Sequence, residues 1–399
     1  MAIYKIFPTQ DTTLYSSHPS MNTGIDAILE ASNKLGIDGL PDVARYLVQF
    51  DNSEINDIIT NKISGSTYSV YLTNFISEIQ GITSNTFLEI LPLAQSWDNG
   101  TGQTLDNPIT ENGCSWGYTD FSGSTSWSPS GDYDGTEGVI SYTSSFNPLY
   151  STQGGGNWFF NGSNNLLYVL AGYVLDNYID NIITSNPNVI SQSFNVRDTK
   201  DLEAKVDNIV NNWYSGSIPN YGFIVKLADS FEFNPSQYVQ PQFKYYSVDT
   251  NTIYPPQLEF RWRDYSLYSP STSSIVTTEQ LKLSLSENPG IFTPESINRF
   301  YINVSPLYPT RIYKTSSLFT DLNYLPTSSY YAVKDLDTNE FIINFDDQYT
   351  QISSDERGNY FDVYMSGLEP ERYYKILIKT VLNNSTKIFD DNYYFKVIN

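Results

Sequence analysis

Period-two alternation constrains this chain most. Short runs alternating apolar and polar residues recur along it, separated by clusters of Gly, Pro, Asn, Asp and Ser. In an extended backbone, alternation places every second side chain on the same side, so each run can bury one face against a second layer. Such runs, repeated and punctuated by turns, predict antiparallel β structure. The clearest are residues 46–50, 67–72, 86–92, 222–227 and 257–262. In the third of these, Phe87, Glu89 and Leu91 share one face and Leu88 and Ile90 the other. That strand is largely apolar on both sides, which predicts a place in the middle of a sandwich.

Helical signals are few. Residues 199–214 carry Leu202, Val206, Ile209, Val210 and Trp213 at helical spacing, with Asp198 or Thr199 as a start and Gly216 as a stop. Residues 170–183 are a second helical candidate. The Gly-, Ser-, Asn- and Asp-rich stretch 100–156 contains Trp116 and Trp127 and is flanked by Trp97 and Trp158. Flexible linkers carry no such tryptophans, so long ordered loops over a sandwich edge or end are expected. Alternation lapses near residues 264–274 and resumes at 299–304, 330–334, 340–345, 359–365, 372–380 and 393–397. Strands of that number and spacing predict an immunoglobulin-like sandwich.

Composition narrows the function classes. Hydrophobic residues make up 40% and aromatics 15% of the 399 residues, including 33 Tyr and 22 Phe. This is a chain that folds, with enough length for more than one core. The tyrosines fit either plain strand propensity with an AT-rich coding bias, or sheet faces that also make contacts. A formal net charge of −22 opposes binding to nucleic acid and to anionic membrane, while favouring solubility. A single cysteine, Cys114, allows no internal disulfide. The first residues do not have the pattern of a secretory signal, and the apolar run 166–175 is too short for a membrane span and contains Gly172. The expectation is synthesis and folding in a cytoplasm, with exit by lysis or assembly.

Several motifs, in order, resemble the DNRLRE-type domain, a β jelly roll. They are Asp11-Thr12-Thr13-Leu14-Tyr15; Asn22-Thr23-Gly24; Ala44-Arg45-Tyr46-Leu47-Val48-Gln49-Phe50-Asp51; Trp97-Asp98-Asn99-Gly100-Thr101-Gly102; Gly113-Cys114-Ser115-Trp116, expected as a strand; and Trp127-Ser128-Pro129-Ser130-Gly131-Asp132-Tyr133-Asp134. Phe194-Asn195-Val196, Trp213, Gly216, Pro219-Asn220-Tyr221-Gly222 and Pro255-Pro256-Gln257-Leu258-Glu259-Phe260 resemble its closing elements. The run Gly154-Gly155-Gly156, followed by Trp158-Phe159-Phe160, departs from the pattern, and residues 161–187 look like an insertion able to carry partner contacts. Further on, Gly367-Leu368-Glu369-Pro370 followed by Tyr374 and Ile376 resembles a fibronectin-III-like domain with a tyrosine corner. Residues 329–379 are similar in style to virion structural proteins of marine tailed phages, cyanophages among them. The resemblances imply a jelly-roll domain over 1–264, a linker at 265–274 and an Ig/fibronectin-III-like domain over 275–399.

No catalytic constellation emerges. The only histidine, His18, lies in a turn-like Ser17-His18-Pro19-Ser20, and Cys114 has nothing basic beside it in sequence. With 44 acidic residues, close carboxylate pairs arise by chance and do not single out a glycosidase. Asp132 and Asp134, with the Asp98-Asn99-Gly100 turn, offer oxygens for calcium or simply form Asx turns. Trp127, Tyr133 and Trp158 are either loop anchors or contacts for glycan or partner. The expected molecule is an all-β, non-enzymatic virion subunit of a neck, collar, tail or fibre. It would associate with copies of itself and with other virion proteins, and would need no cofactor, with calcium as the open exception. A carbohydrate-binding module for host surface glycans is the alternative.

Overall fold

The structure is a computed structural model that describes residues 2–35, 41–63, 65–82, 85–127, 155–159, 168–170, 189–197, 199–232, 241–268, 274–277, 280–286, 289–308 and 322–398. The chain is all-β and sandwich-like. It divides into two compact units. The larger comprises Ile6–Asp57 and Val70–Leu258; the smaller comprises Met1–Lys5, Ile58–Ser69 and Glu259–Asn399.

The larger unit is organised around an eight-stranded, curled sheet. Its strands run in the order Ile190–Phe194, Thr86–Pro92, Phe223–Leu227, Pro41–Gln49, Ile28–Leu35, Gln242–Tyr246 and Ile76–Gln80, and Gln10–Tyr15 also pairs with Pro41–Gln49. Alternation sorts their side chains onto two buried faces. On one, Tyr46 accepts a 2.8 Å hydrogen bond from Asn74, Trp213 packs 4.6 Å from Phe223, and Phe194 packs 4.9 Å from Phe243. On the other, Leu14, Val43, Leu47, Leu91 and Ile224 meet Trp97, Trp116, Trp127 and Trp158. Loops carrying Trp97, Trp116 and Trp127, with the short strand Asn157–Phe159 carrying Trp158, therefore serve as the second layer on that side. This is why Thr86–Pro92 is apolar on both faces.

The smaller unit stacks two sheets. One has the strands Leu281–Ser286, Ile297–Pro306, Gly358–Tyr364 and Ser353–Asp355 in that order. The other runs Ile291–Phe292, Tyr394–Val397, Tyr373–Leu382, Ser329–Asp335, Phe341–Ile343, with Ser385–Phe389 also on Tyr373–Leu382. Inward residues from both sheets make one core. At its centre Tyr331 stacks on Phe361 at 4.3 Å, and Phe361 on Phe300 at 5.3 Å. Tyr374, buried, donates its hydroxyl to the Glu369 carbonyl at 2.9 Å, the tyrosine-corner bond that pins the Gly367-Leu368-Glu369-Pro370 turn.

The expected strands are present with shifted ends: 46–50 overlaps the longer Pro41–Gln49 and 372–380 the longer Tyr373–Leu382, whereas 340–345 shortens to Phe341–Ile343. Two local expectations are corrected. Residues 199–214 do not form one helix. Leu202–Lys205 is a strand paired with residues 71–74, and the helix is Asp207–Tyr214, with Gly216 just past its end. The segment Leu202-Glu203-Ala204-Lys205 also alternates at period two, with Leu202 and Ala204 buried and Glu203 and Lys205 exposed. Ladder hydrogen bonds to the neighbouring strand therefore outweigh its helix propensity. Cys114 lies on a loop, not a strand. Of the second helical candidate, only Leu170 is described, and it ends the strand Tyr168–Leu170, which pairs with Asn157–Phe159.

Candidate functional site

The motif residues of the larger unit converge on two buried clusters. The first is centred on Asn22, which is fully buried. Its amide nitrogen donates to the Asn99 and Cys114 carbonyls at 2.8 and 2.7 Å. Its amide oxygen accepts from the backbone nitrogens of Gly24 and Gly102 at 3.1 and 2.7 Å. One side chain thus ties three loops together with every polar group answered. The glycines are sterically required. A Cβ on Gly24 would lie 1.8 Å from the Asn99 oxygen, and one on Gly100, at φ +72°, 2.4 Å from the Asn22 oxygen. The Asn-x-Gly, Trp-x-x-Gly-x-Gly and Gly-Cys-x-Trp spacings are therefore parts of one knot.

The second cluster is ionic. Arg45 is 1% exposed and grips Glu232 with two nitrogens at 2.6 and 2.9 Å. Its third nitrogen donates to the Gly155 carbonyl at 2.8 Å, and its guanidinium lies over the rings of Trp116 and Trp158. Next to it, Lys226 pairs with Glu89 at 2.9 Å and approaches Glu232 at 3.8 Å. Register explains the row: Lys226 stands opposite Glu89, and Val225 opposite Tyr46, on adjacent strands. Two cations and two carboxylates neutralise one another away from solvent, which is the condition for retaining charge in an interior.

Trp127 is 1% exposed and donates its indole N–H to the Ser115 carbonyl at 2.9 Å. Trp158 is 4% exposed, between Arg45 and Lys226. Both rings are built into the cover of the sheet. Asp132, Tyr133 and Asp134 lie outside the described residues. His18 is exposed in its turn and bonded to the Ser17 hydroxyl at 2.8 Å. Cys114 is buried; that burial, and then the charge of Asp98, pushes its thiol well above the usual range. Among the described residues, no three His, Cys, Asp or Glu side chains gather as a metal site, and no helix is long and apolar enough to cross a membrane.

A surface not apparent from the sequence lies on the outer face of the second sheet of the smaller unit. The register places Tyr330 opposite Lys379, Lys334 opposite Lys375, Lys375 opposite Tyr394, Tyr373 opposite Lys396 and Phe341 opposite Lys334. Each lysine ammonium sits over a ring: Lys379 at 4.9 Å from Tyr330, Lys334 at 5.1 Å from Phe341, Lys375 at 5.5 Å from Tyr394 and Lys396 at 5.8 Å from Tyr373. Tyr373, Tyr394 and Phe341 remain 50, 41 and 44% exposed. Asp390 pairs with Lys375 and Glu371 with Lys396, whereas Lys334 and Lys379 have no ion pair with a described carboxylate. Burial works to raise the Asp390 carboxyl, but the Lys375 hydrogen bond and the Asn392 backbone N–H hold it below its ordinary value. Spacing within 372–380 already put Tyr373, Lys375 and Lys379 on one side; which strands flank them was not encoded locally. No family model, curated protein or solved structure matches this chain.

Proposed function

We propose that this protein is a non-enzymatic structural subunit of a tailed-phage virion, placed in a neck, collar, tail or fibre and working by assembly with copies of itself and other virion proteins. The observation carrying this reading is how its reactive side chains are used. Buried Arg45 and Lys226 are neutralised by Glu232 and Glu89, and the motif tryptophans cover a sheet. Exposed rings with half-buried lysines over them sit on the outer face of a sheet. A sheet face presenting exposed aromatic rings suits contact with another protein surface. The virion setting rests on the resemblance of residues 329–379 to phage structural proteins.

The test is to purify particles from a producing culture, quantify this chain by mass spectrometry and locate it by imaging. A fixed copy number per particle is expected. Its absence from purified particles overturns the proposal.

A further inference from the structure

Among the described residues, Lys226 is the one lysine buried against two carboxylates. It stands directly opposite Glu89 on the neighbouring strand, with its Nζ 2.9 Å from Oε2 of Glu89 and 3.8 Å from Oε2 of Glu232. All three side chains are buried, and the ring of Trp158 lies 5.7 Å from the ammonium. Arg45 grips both oxygens of Glu232 and so fixes that carboxylate in place. The other described lysine–carboxylate pairs lack this arrangement. Lys5, also buried, meets Glu259 alone at 3.5 Å, and the remaining lysines are partly open to solvent.

We propose that Lys226 and Glu89 condense into an amide, a covalent tie between the strands Phe223–Leu227 and Thr86–Pro92, with Glu232 as the proton relay. In water an amine and a carboxyl are both charged and do not condense. Here the register holds them in contact, and well-oriented partners react as if at an effective concentration on the order of 10⁵ M or more. Burial also favours the product, because an ion pair held away from water carries a desolvation cost that a neutral amide avoids.

Proton transfer from the Lys226 ammonium to Glu89 gives an amine and a carboxylic acid with no change in net charge. The Lys226 Nζ then attacks the Glu89 Cδ. Glu232 takes the proton released by the nitrogen and delivers it to the departing hydroxyl. The Nζ–Cδ bond forms, a Cδ–O bond breaks and one water leaves, with no oxidant or reductant consumed. The Arg45–Glu232 pair remains, so the interior stays neutral. The tie closes the chain between residues 89 and 226, restricts the unfolded state as any cross-link does, and persists in denaturant.

The test is the mass of the purified full chain under denaturing conditions. It should be lighter by one water than the mass of the sequence counted from the observed N-terminal residue. Peptide mapping should recover one branched species joining the Glu89 peptide to the Lys226 peptide, with tryptic cleavage after Lys226 blocked. Lys226→Arg keeps a cation between the two carboxylates but forms no amide, so it should carry the full sequence mass and a circular dichroism spectrum like that of the parent. Glu232→Gln, where folded by the same criterion, should also carry the full mass. A folded parent chain with the full sequence mass overturns the proposal and leaves an ion pair only. A water loss that maps elsewhere, such as to an aspartyl succinimide, overturns it as well. Complete cross-linking in Glu232→Gln overturns the relay role.

Discussion

Replacing Asp11 with Asn should make the larger unit more stable, and more so at higher pH. Asp11 lies on the strand Gln10–Tyr15 and is 1% exposed. One carboxyl oxygen accepts from the Val248 backbone N–H at 2.7 Å; the other is buried with no hydrogen-bond partner. Burial pushes the carboxyl up to about 8 from 3.8, opposed by the Val248 N–H and reinforced by the nearby Asp249 charge. The folded chain therefore holds a proton that the unfolded chain has already released across this window. Stability from this group is complete below pH 3.8 and is lost progressively as pH rises to about 8. A rise of about four units at about 1.4 kcal/mol each sets a ceiling of roughly 5–6 kcal/mol at alkaline pH. Asn keeps the acceptor for Val248 and cannot ionise. Its advantage over Asp should grow by about 1.4 kcal/mol per pH unit between pH 5 and 7 and level off above pH 8. Urea unfolding followed by tryptophan fluorescence reads this directly, because five of the six tryptophans belong to the larger unit. Other titrating groups cancel in the difference between the two proteins. A constant offset at every pH would refute the reasoning, because Asp11 would then be ionised in the folded state.

Asn22→Asp removes both donors of the loop knot and sets a carboxylate against the Asn99 and Cys114 carbonyls; a loss of roughly 2–4 kcal/mol should appear in thermal unfolding, with protease nicking within residues 98–114. Arg45→Met leaves Glu232 buried without its main partner; a cost of about 3–5 kcal/mol is expected, measured by urea unfolding at neutral pH. Tyr374→Phe deletes only the hydroxyl bond to Glu369 and should cost about 1 kcal/mol, read as a lowered melting point of the smaller unit with its spectrum unchanged.

How much of the fold was legible depended on how far each signal reaches along the chain. Alternation is a property of neighbouring residues, so strands such as Thr86–Pro92 and Tyr373–Leu382 could be read directly, as could the Tyr374 corner, whose partner Glu369 is close in sequence. Leu202–Lys205 could not, because its short pattern fits strand and helix alike and only the strand containing Asn74 settles the matter. The same held for the motif residues. Their types and spacing were visible, but Asn22 meets Cys114, and Arg45 meets Glu232, across long stretches of chain.

The sequence alone determined an all-β chain with layered cores, since side-chain alternation in an extended backbone is independent of what lies beside it. The tertiary structure decided which residues meet: that the tryptophan loops cover a sheet, that buried charges find opposite charges, and that lysines from one strand lie over rings from the next. Those outcomes depend on register and on desolvation, and both are set only when distant segments come together.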